Sequence, residues 1–153
     1  MTNCGALGWV SDRRGYRYQP RHPATGEPWP EIPPLARRAW RELGAYPHAA
    51  EACLVNFYTP QARMGLHQDR DEEDFEAPVV SLSLGASCIF RCGGTTRGGP
   101  TLSLELGSGD ALLLGGRARL AYHGVARVIQ GSSALLNGNR INLTLRRVTK
   151  PSR

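Results

Sequence analysis

From Ala52 to Val148 the chain reads as a succession of short apolar runs, each closed by turn residues. The runs are Ala52–Tyr58, Val79–Leu84, Cys88–Cys92, Leu102–Leu106, Ala111–Leu114, Val125–Ile129 and Arg140–Val148. Runs of four to nine residues are too short for helices, and their β-branched and leucine-rich content suits strands. No helical pattern separates one run from the next, which excludes a doubly wound parallel sheet. Short strands joined by glycine-containing turns instead predict an antiparallel double sheet or barrel.

The N-terminal part reads differently. Residues 1–30 are rich in Gly, Pro, Arg and aromatics (Trp9, Tyr16, Tyr18, Trp29) and predict ordered loop with short extended pieces. One helix is expected over 31–44. Pro33 and Pro34 start it, Leu35, Ala39, Trp40 and Leu43 fall on one side, and Gly44 suits its end. Arg37, Arg38 and Arg41 then form a solvated opposite face. With 153 residues and 41% hydrophobic content, one domain over 1–153 is expected, its core in 52–148.

Composition narrows the class. No run of about 18 apolar residues is present, so no helical membrane span is expected. The opening Met1-Thr-Asn-Cys4 lacks the basic-then-apolar pattern of a secretory signal. Four cysteines, at 4, 53, 88 and 92, make neither a disulfide framework nor a structural zinc site, which fits reduced thiols in a cytoplasmic protein. A net charge of +6 favours a polyanionic partner, although surplus arginine also serves solubility.

Two patterns carry chemistry. In Arg140-Ile-Asn-Leu-Thr-Leu-Arg146, a strand puts Ile141, Leu143 and Leu145 on one face and Arg140, Asn142, Thr144 and Arg146 on the other. The commonest use of such alternation is one buried and one wet face. Two arginines flanking an amide also suit a dicarboxylate, although at about 3.3 Å per residue their backbones stand about 20 Å apart. Asn56 and Tyr58 share a strand face and offer further hydrogen bonds. In Leu66-His67-Gln68-Asp69, an extended backbone aims His67 and Asp69 at one point. A third ligand must come from His22, His48 or His123. Of these, His22 and His48 lie in proline-containing loops and His123 at the edge of a strand region. Two His and one carboxylate suit a non-haem Fe(II) centre that activates oxygen, and equally a zinc hydrolase.

Taken together, Asn56-Phe-Tyr58, Leu66-His-Gln-Asp69, Ser81-Leu-Ser-Leu-Gly85, Tyr122-His-Gly124 and Arg140–Arg146 resemble the AlkB family of Fe(II)/2-oxoglutarate-dependent dioxygenases. The likeness runs from about Thr2 to about Arg147. It implies a mainly β (α+β) fold: a double-stranded β-helix, or jelly-roll, with an N-terminal lid and one or two flanking helices. It also implies oxidative removal of alkyl groups from nucleobases such as 1-methyladenine and 3-methylcytosine, with Fe(II), 2-oxoglutarate and O2.

The resemblance assigns roles as well. His67, Asp69 and His123 would bind iron. Arg140, Asn142 and Tyr58 would hold the remote carboxylate of 2-oxoglutarate, with Arg146 and Asn56 near its chelating end. Trp9 and Tyr16 would form the substrate lid, Asp71 would recognise an exocyclic amino group, and Arg97 would reach the base or its backbone. Arg13, Arg14, Arg17 and Arg21 flank the lid and would meet phosphates of a DNA or RNA partner. A monomer is expected. Two departures stand out: the longer N-terminal stretch of bacterial members is not represented, and Leu114 stands where they carry tryptophan. The competing readings are a 2-oxoglutarate dioxygenase acting on a protein or small molecule, and a non-catalytic, cupin-like metal-binding protein.

Overall fold

The structure, a computed structural model, describes residues 1–151. Its strands, in chain order, are β1 (Thr2–Gly5), β2 (Gly8–Asp12), β3 (Gly15–Gln19), β4 (Ala52–Tyr58), β5 (Met64–His67), β6 (Val79–Gly85), β7 (Cys88–Cys92), β8 (Leu102–Leu106), β9 (Ala111–Leu114), β10 (His123–Val128) and β11 (Arg140–Arg146). The helix α1 spans Pro34–Leu43. A five-stranded sheet in the order β1-β4-β11-β6-β9 faces a four-stranded sheet in the order β5-β10-β7-β8, and β2-β3 form a separate hairpin. All the pairings are antiparallel. This is the antiparallel double sheet that the succession of short runs predicts, in the jelly-roll form that the family resemblance implies.

Strand β11 lies at the centre of the larger sheet and is covered on both faces. On the outer face, Leu145, Val80 and Cys53 pack with Ala36 and Trp40 of α1 in one apolar cluster. Between the sheets, Tyr58, Ala86, Cys88, Phe90, Val125 and Val128 form a second cluster. The polar face of β11 points into the space between the sheets: Arg140, Asn142, Thr144 and Arg146 are all buried. The ordinary alternation of a wet polar face is thus inverted, and a polar face inside a barrel calls for a polar ligand or for internal pairing.

The structure departs from sequence expectation in several places. The segment 1–30 is not all lid, because β1 is the edge of the larger sheet, paired with β4 from Thr2↔Val55 to Gly5↔Ala52. Helix α1 is shorter than 31–44, and Pro33 stands at its N-cap. Of the side expected to pack, Trp40 is buried and Ala39 half-buried, whereas Leu35 and Leu43 are exposed and Ala36 joins Trp40 on the buried face. Gly44 ends the helix in right-handed geometry, and the positive φ falls on Ala45. Strand β10 starts two residues earlier than expected, at His123, and β11 ends at Arg146 rather than Val148. Among the described residues all four cysteines are free thiols, and no helix is long and apolar enough to cross a membrane.

Candidate active site

His67 ends β5, and His123 begins β10 directly opposite it in register. The loop after β5 carries Asp69 to the same point. Asp69 Oδ1 lies 3.7 Å from His67 Nε2, and its Oδ2 lies 3.7 Å from His123 Nε2. One ligand atom from each residue falls within 4.8 Å of the others.

The two imidazoles are oriented by the same device. His67 Nδ1 lies 2.9 Å from the Gly65 carbonyl oxygen, and His123 Nδ1 lies 2.9 Å from that of Ala121. A carbonyl only accepts, so each Nδ1 carries the proton and each Nε2 presents a lone pair to the shared point.

Electrostatics keep the triad ready for a cation. Burial alone would raise the Asp69 carboxyl, but Arg146, His123, His67 and Arg119 together hold it below the ordinary carboxylate value. Burial pushes His123 below the usual imidazole value, against the opposing pull of Asp69 and the Ala121 carbonyl. Asp69 Oδ2 is buried without a hydrogen-bond partner; Arg146 Nη2 sits 2.8 Å away but outside hydrogen-bond geometry. An unpartnered buried carboxylate oxygen between two imidazole lone pairs fits a divalent cation, and the N2O donor set suits Fe(II).

Next to the triad a cavity between the sheets is lined by Asn56, Tyr58, Arg140, Asn142, Thr144 and Arg146, with Phe90 and Leu114 as apolar wall. At its far end Arg140, 1% exposed, donates from Nη2 to Ser83 Oγ (2.9 Å), while its Nε and Nη1 have no partner. A buried guanidinium with two idle donors is a site for an anion. Tyr58, whose hydroxyl has only the Met64 sulfur at 3.8 Å, is free to add a bond, and burial pushes its phenol up to about 12. Asn142 lines the cavity with its amide already committed. Its Nδ2 donates to Ser81 Oγ (2.7 Å) and the Leu82 carbonyl (3.1 Å), and its Oδ1 accepts from Thr144 Oγ1 (2.7 Å). In this arrangement Asn142 braces β11 against β6 rather than offering donors to a ligand.

A second, open cleft on the other side of the triad is lined by Trp9, Tyr16, His67, Asp69, Asp71 and Arg146, among others. Trp9 and Tyr16 stack with ring centroids 5.4 Å apart, and Trp9 Nε1 donates to Asp71 Oδ2 at 2.7 Å. Arg97 is not brought to this cleft. It lies over the Tyr122 ring, 5.6 Å from its centroid, in a separate depression with Gly94 and Gly98. The exposed glycine-rich turn after β7 carries it there, which single-residue spacing does not reveal. Sequence reading also missed Glu72, Arg119 and Tyr18, buried or half-buried beside Asp69. Tyr18 shares the β3 face of Tyr16, a period-two signal available in the sequence.

A jelly-roll with a His-x-Asp…His cluster between an anion cavity and an open cleft defines a metal-dependent oxygenase that takes an acidic co-substrate. The chain belongs to the 2OG-Fe(II) oxygenase superfamily, whose family description matches residues 1–146, and within it to the AlkB family. It is 57% identical over 148 residues to the alpha-ketoglutarate-dependent dioxygenase AlkB homolog of Caulobacter vibrioides, covering 96% of this chain and 67% of that protein. To the alpha-ketoglutarate-dependent dioxygenase AlkB of Escherichia coli it is 45% identical over 154 residues, covering 98% of this chain and 71% of that protein. A more distant relative, the tRNA demethylase abh1 of Schizosaccharomyces pombe, is 39% identical over 116 residues, covering 68% of this chain and 38% of that protein. The solved structure of OsALKBH1 superposes with a TM-score of 0.76 at 31% identity, covering 95% of this chain and 76% of that one. The chain is therefore a 2-oxoglutarate-dependent dioxygenase whose cofactor is Fe(II).

Proposed function

We propose that the protein removes alkyl groups from nucleobases of DNA or RNA, acting as a monomer, by oxidising the carbon bonded to the ring nitrogen. The observation that carries this reading is the placement of the His67–Asp69–His123 cluster between two compartments, an anion cavity ending at Arg140 and an aromatic cleft at Trp9 and Tyr16. The tRNA demethylase among its relatives supports a nucleic-acid substrate.

In this reading His67, Asp69 and His123 would hold the ferrous ion, the imidazoles through the Nε2 atoms left unprotonated and Asp69 through its carboxylate. Iron held there would supply the redox chemistry that couples oxidative decarboxylation of 2-oxoglutarate by dioxygen, giving succinate and carbon dioxide, to hydroxylation of the alkyl carbon. Arg140 donates its idle Nε and Nη1 to the remote carboxylate, with the Tyr58 hydroxyl beside it. Arg146 and Asn56 face the chelating end. The buried walls of the cavity keep bulk water from the reacting groups.

On the substrate side, a base alkylated at a ring nitrogen carries positive charge. Trp9, Tyr16 and the His67 ring offer it π-faces, replacing the stacking lost when the base leaves its strand. Asp71 exchanges its bond from Trp9 for one from the exocyclic amino group. Exposed Arg13 and Arg14 at the hairpin tip meet phosphates. The hydroxylated product is a hemiaminal, which expels an aldehyde and leaves the unmodified base.

The test loads the protein anaerobically with Fe(II) and 2-oxoglutarate, then adds oxygen and an oligonucleotide bearing 1-methyladenine. Formaldehyde and unmodified adenine appearing in equal amounts support the proposal. Succinate formation that the oligonucleotide does not stimulate, with no formaldehyde, rejects the substrate.

A further inference from the structure

Around Asp69 and Arg146 lies a buried charge network whose other members, Glu72, Arg119 and Tyr18, the catalytic reading does not use. Arg119, just past the 3-10 turn Gly116–Ala118, has a side chain only 3% exposed and spends its guanidinium on three residues of the loop between β5 and β6. Nε donates to the Ala77 carbonyl (2.9 Å), Nη1 to the Asp69 carbonyl (2.8 Å) and Nη2 to Glu72 Oε2 (3.0 Å). The other oxygen of Glu72 accepts a hydrogen bond from the Tyr18 hydroxyl and lies 3.6 Å from Arg146 Nε. Arg146 closes the circuit: Nη1 donates to the Tyr18 hydroxyl (3.0 Å), and Nη2 sits 2.8 Å from Asp69 Oδ2.

Two carboxylates and two guanidinium groups thus balance in charge, and a single neutral phenol is shared between one member of each kind. That phenol comes from β3, the strand that carries Tyr16 and that pairs with the Trp9 strand through Trp9↔Tyr18. Burial pushes the Tyr18 phenol far above its ordinary value, so it remains a hydrogen-bond donor throughout the working range.

We propose that Tyr18 is a positioning residue that ties the Trp9–Tyr16 hairpin to the metal-binding carboxylate of Asp69, through Glu72, Arg119 and Arg146. The inference rests on the metal reading of His67, Asp69 and His123. The hairpin and the carboxylate share one connected set of hydrogen bonds and ion pairs, so the site that receives the base and the site that receives the cation are set together. Arg119 fixes the Asp69 backbone, Arg146 fixes its Oδ2, and Tyr18 fixes Arg146 against Glu72. Partners that orient ligands in this way tune metal affinity by factors of about 10–100.

The test compares wild-type protein with Tyr18→Phe, which keeps the ring and loses only the bridging hydroxyl. Tyr46→Phe serves as a matched control, since it removes a phenol–carboxylate bond of the same kind (to Asp74, 2.5 Å) that does not reach Asp69. Mn(II) dissociation constants are measured by titration, and visible absorption bands are recorded on Co(II)-loaded protein. Tyr18→Phe is expected to weaken Mn(II) binding about 10-fold and to shift the Co(II) bands, with Tyr46→Phe matching wild type. Glu72→Gln should act in the same direction; should it fail to fold by circular dichroism, Tyr18→Phe alone decides. Equal Mn(II) affinity and identical Co(II) spectra in wild type and Tyr18→Phe overturn the linkage and leave the metal reading standing. A wild type that binds no stoichiometric Mn(II) or Co(II) overturns both.

Discussion

Arg140 reaches to Ser83 on the adjoining strand β6 of its own sheet, donating Nη2 to the serine hydroxyl at 2.9 Å while its Nε and Nη1 are buried without partners. A full charge held this deep with half-satisfied donors destabilises the ligand-free fold. Function and stability therefore oppose each other at this position. Arg140→Met is expected to raise the stability of the ligand-free protein by roughly 1–4 kcal/mol, the range for replacing buried charge by apolar side chains. In the proposed role of Arg140 the same change would remove two charge-assisted bonds to 2-oxoglutarate, so its dissociation constant should rise about 100-fold or more. Urea unfolding and calorimetric titration of 2-oxoglutarate read the two effects. Co-substrate affinity within twofold of wild type would remove Arg140 from the pocket.

The register that sets His67 against His123 depends on a glycine. A Cβ built on Gly124 would lie 2.5 Å from the Met64 carbonyl oxygen and 2.7 Å from that of Gly65. Both are backbone atoms of β5, so the strand itself must move. Gly124→Ala is expected to cost about 1–3 kcal/mol, as overpacking of a tight contact does, and to part the two imidazoles. Mn(II) affinity should fall more than thermal stability implies, because the Gly65 carbonyl that orients His67 is one of the displaced groups. Thermal melts with and without Mn(II) check this.

How much of this was legible beforehand follows from the physics of each element. The antiparallel double sheet was legible because short apolar runs between turns permit few other architectures, whereas the His67–Asp69–His123 set was legible only through the family resemblance, since spacing pairs His67 with Asp69 and does not choose the third ligand. What resisted reading was any feature set by partners distant in sequence. The β5 strand Met64–His67 has two exposed residues in four and carries no apolar pattern. The buried status of Glu72 and Arg119 arises from mutual charge neutralisation, which no local window displays. On α1 the helical spacing located Trp40 but not Ala36, because Leu35 and Leu43 fit the same spacing and yet stay exposed. Asn142 likewise looked like a ligand donor on its strand face, whereas Ser81 and Leu82 of the neighbouring strand consume its donors.

The Trp9–Asp71 bond gives the substrate cleft its own prediction. Asp71 is exposed and bonded only to the indole within the cleft, so its removal leaves the metal cluster untouched. Asp71→Ala and Trp9→Ala should each raise the apparent KM for an alkylated oligonucleotide about 10-fold, the loss of one bond or one stacking face. Decarboxylation of 2-oxoglutarate without substrate should stay near the wild-type rate. Equal losses in both measurements would argue that these residues support the fold rather than the base.

The two histidines of the cluster differ in what else they do. His67 sits on an edge strand with its side chain 38% exposed, whereas His123, at 10%, is buried and packs 5.8 Å from the Phe90 ring. Truncation should therefore separate metal binding from folding at one site and not at the other. His67→Ala is expected to keep the metal-free melting temperature within a few degrees, since a half-exposed side chain contributes little to packing. His123→Ala should lower it further, because it opens a cavity against Phe90 and Val125. In wild type, Mn(II) at 100 times its dissociation constant should add about 2.7 kcal/mol of stability by mass action. Both variants should lose that increment, and adding a chelator to the wild type should abolish it. A metal-dependent rise in melting temperature that survived either truncation would place the ion elsewhere.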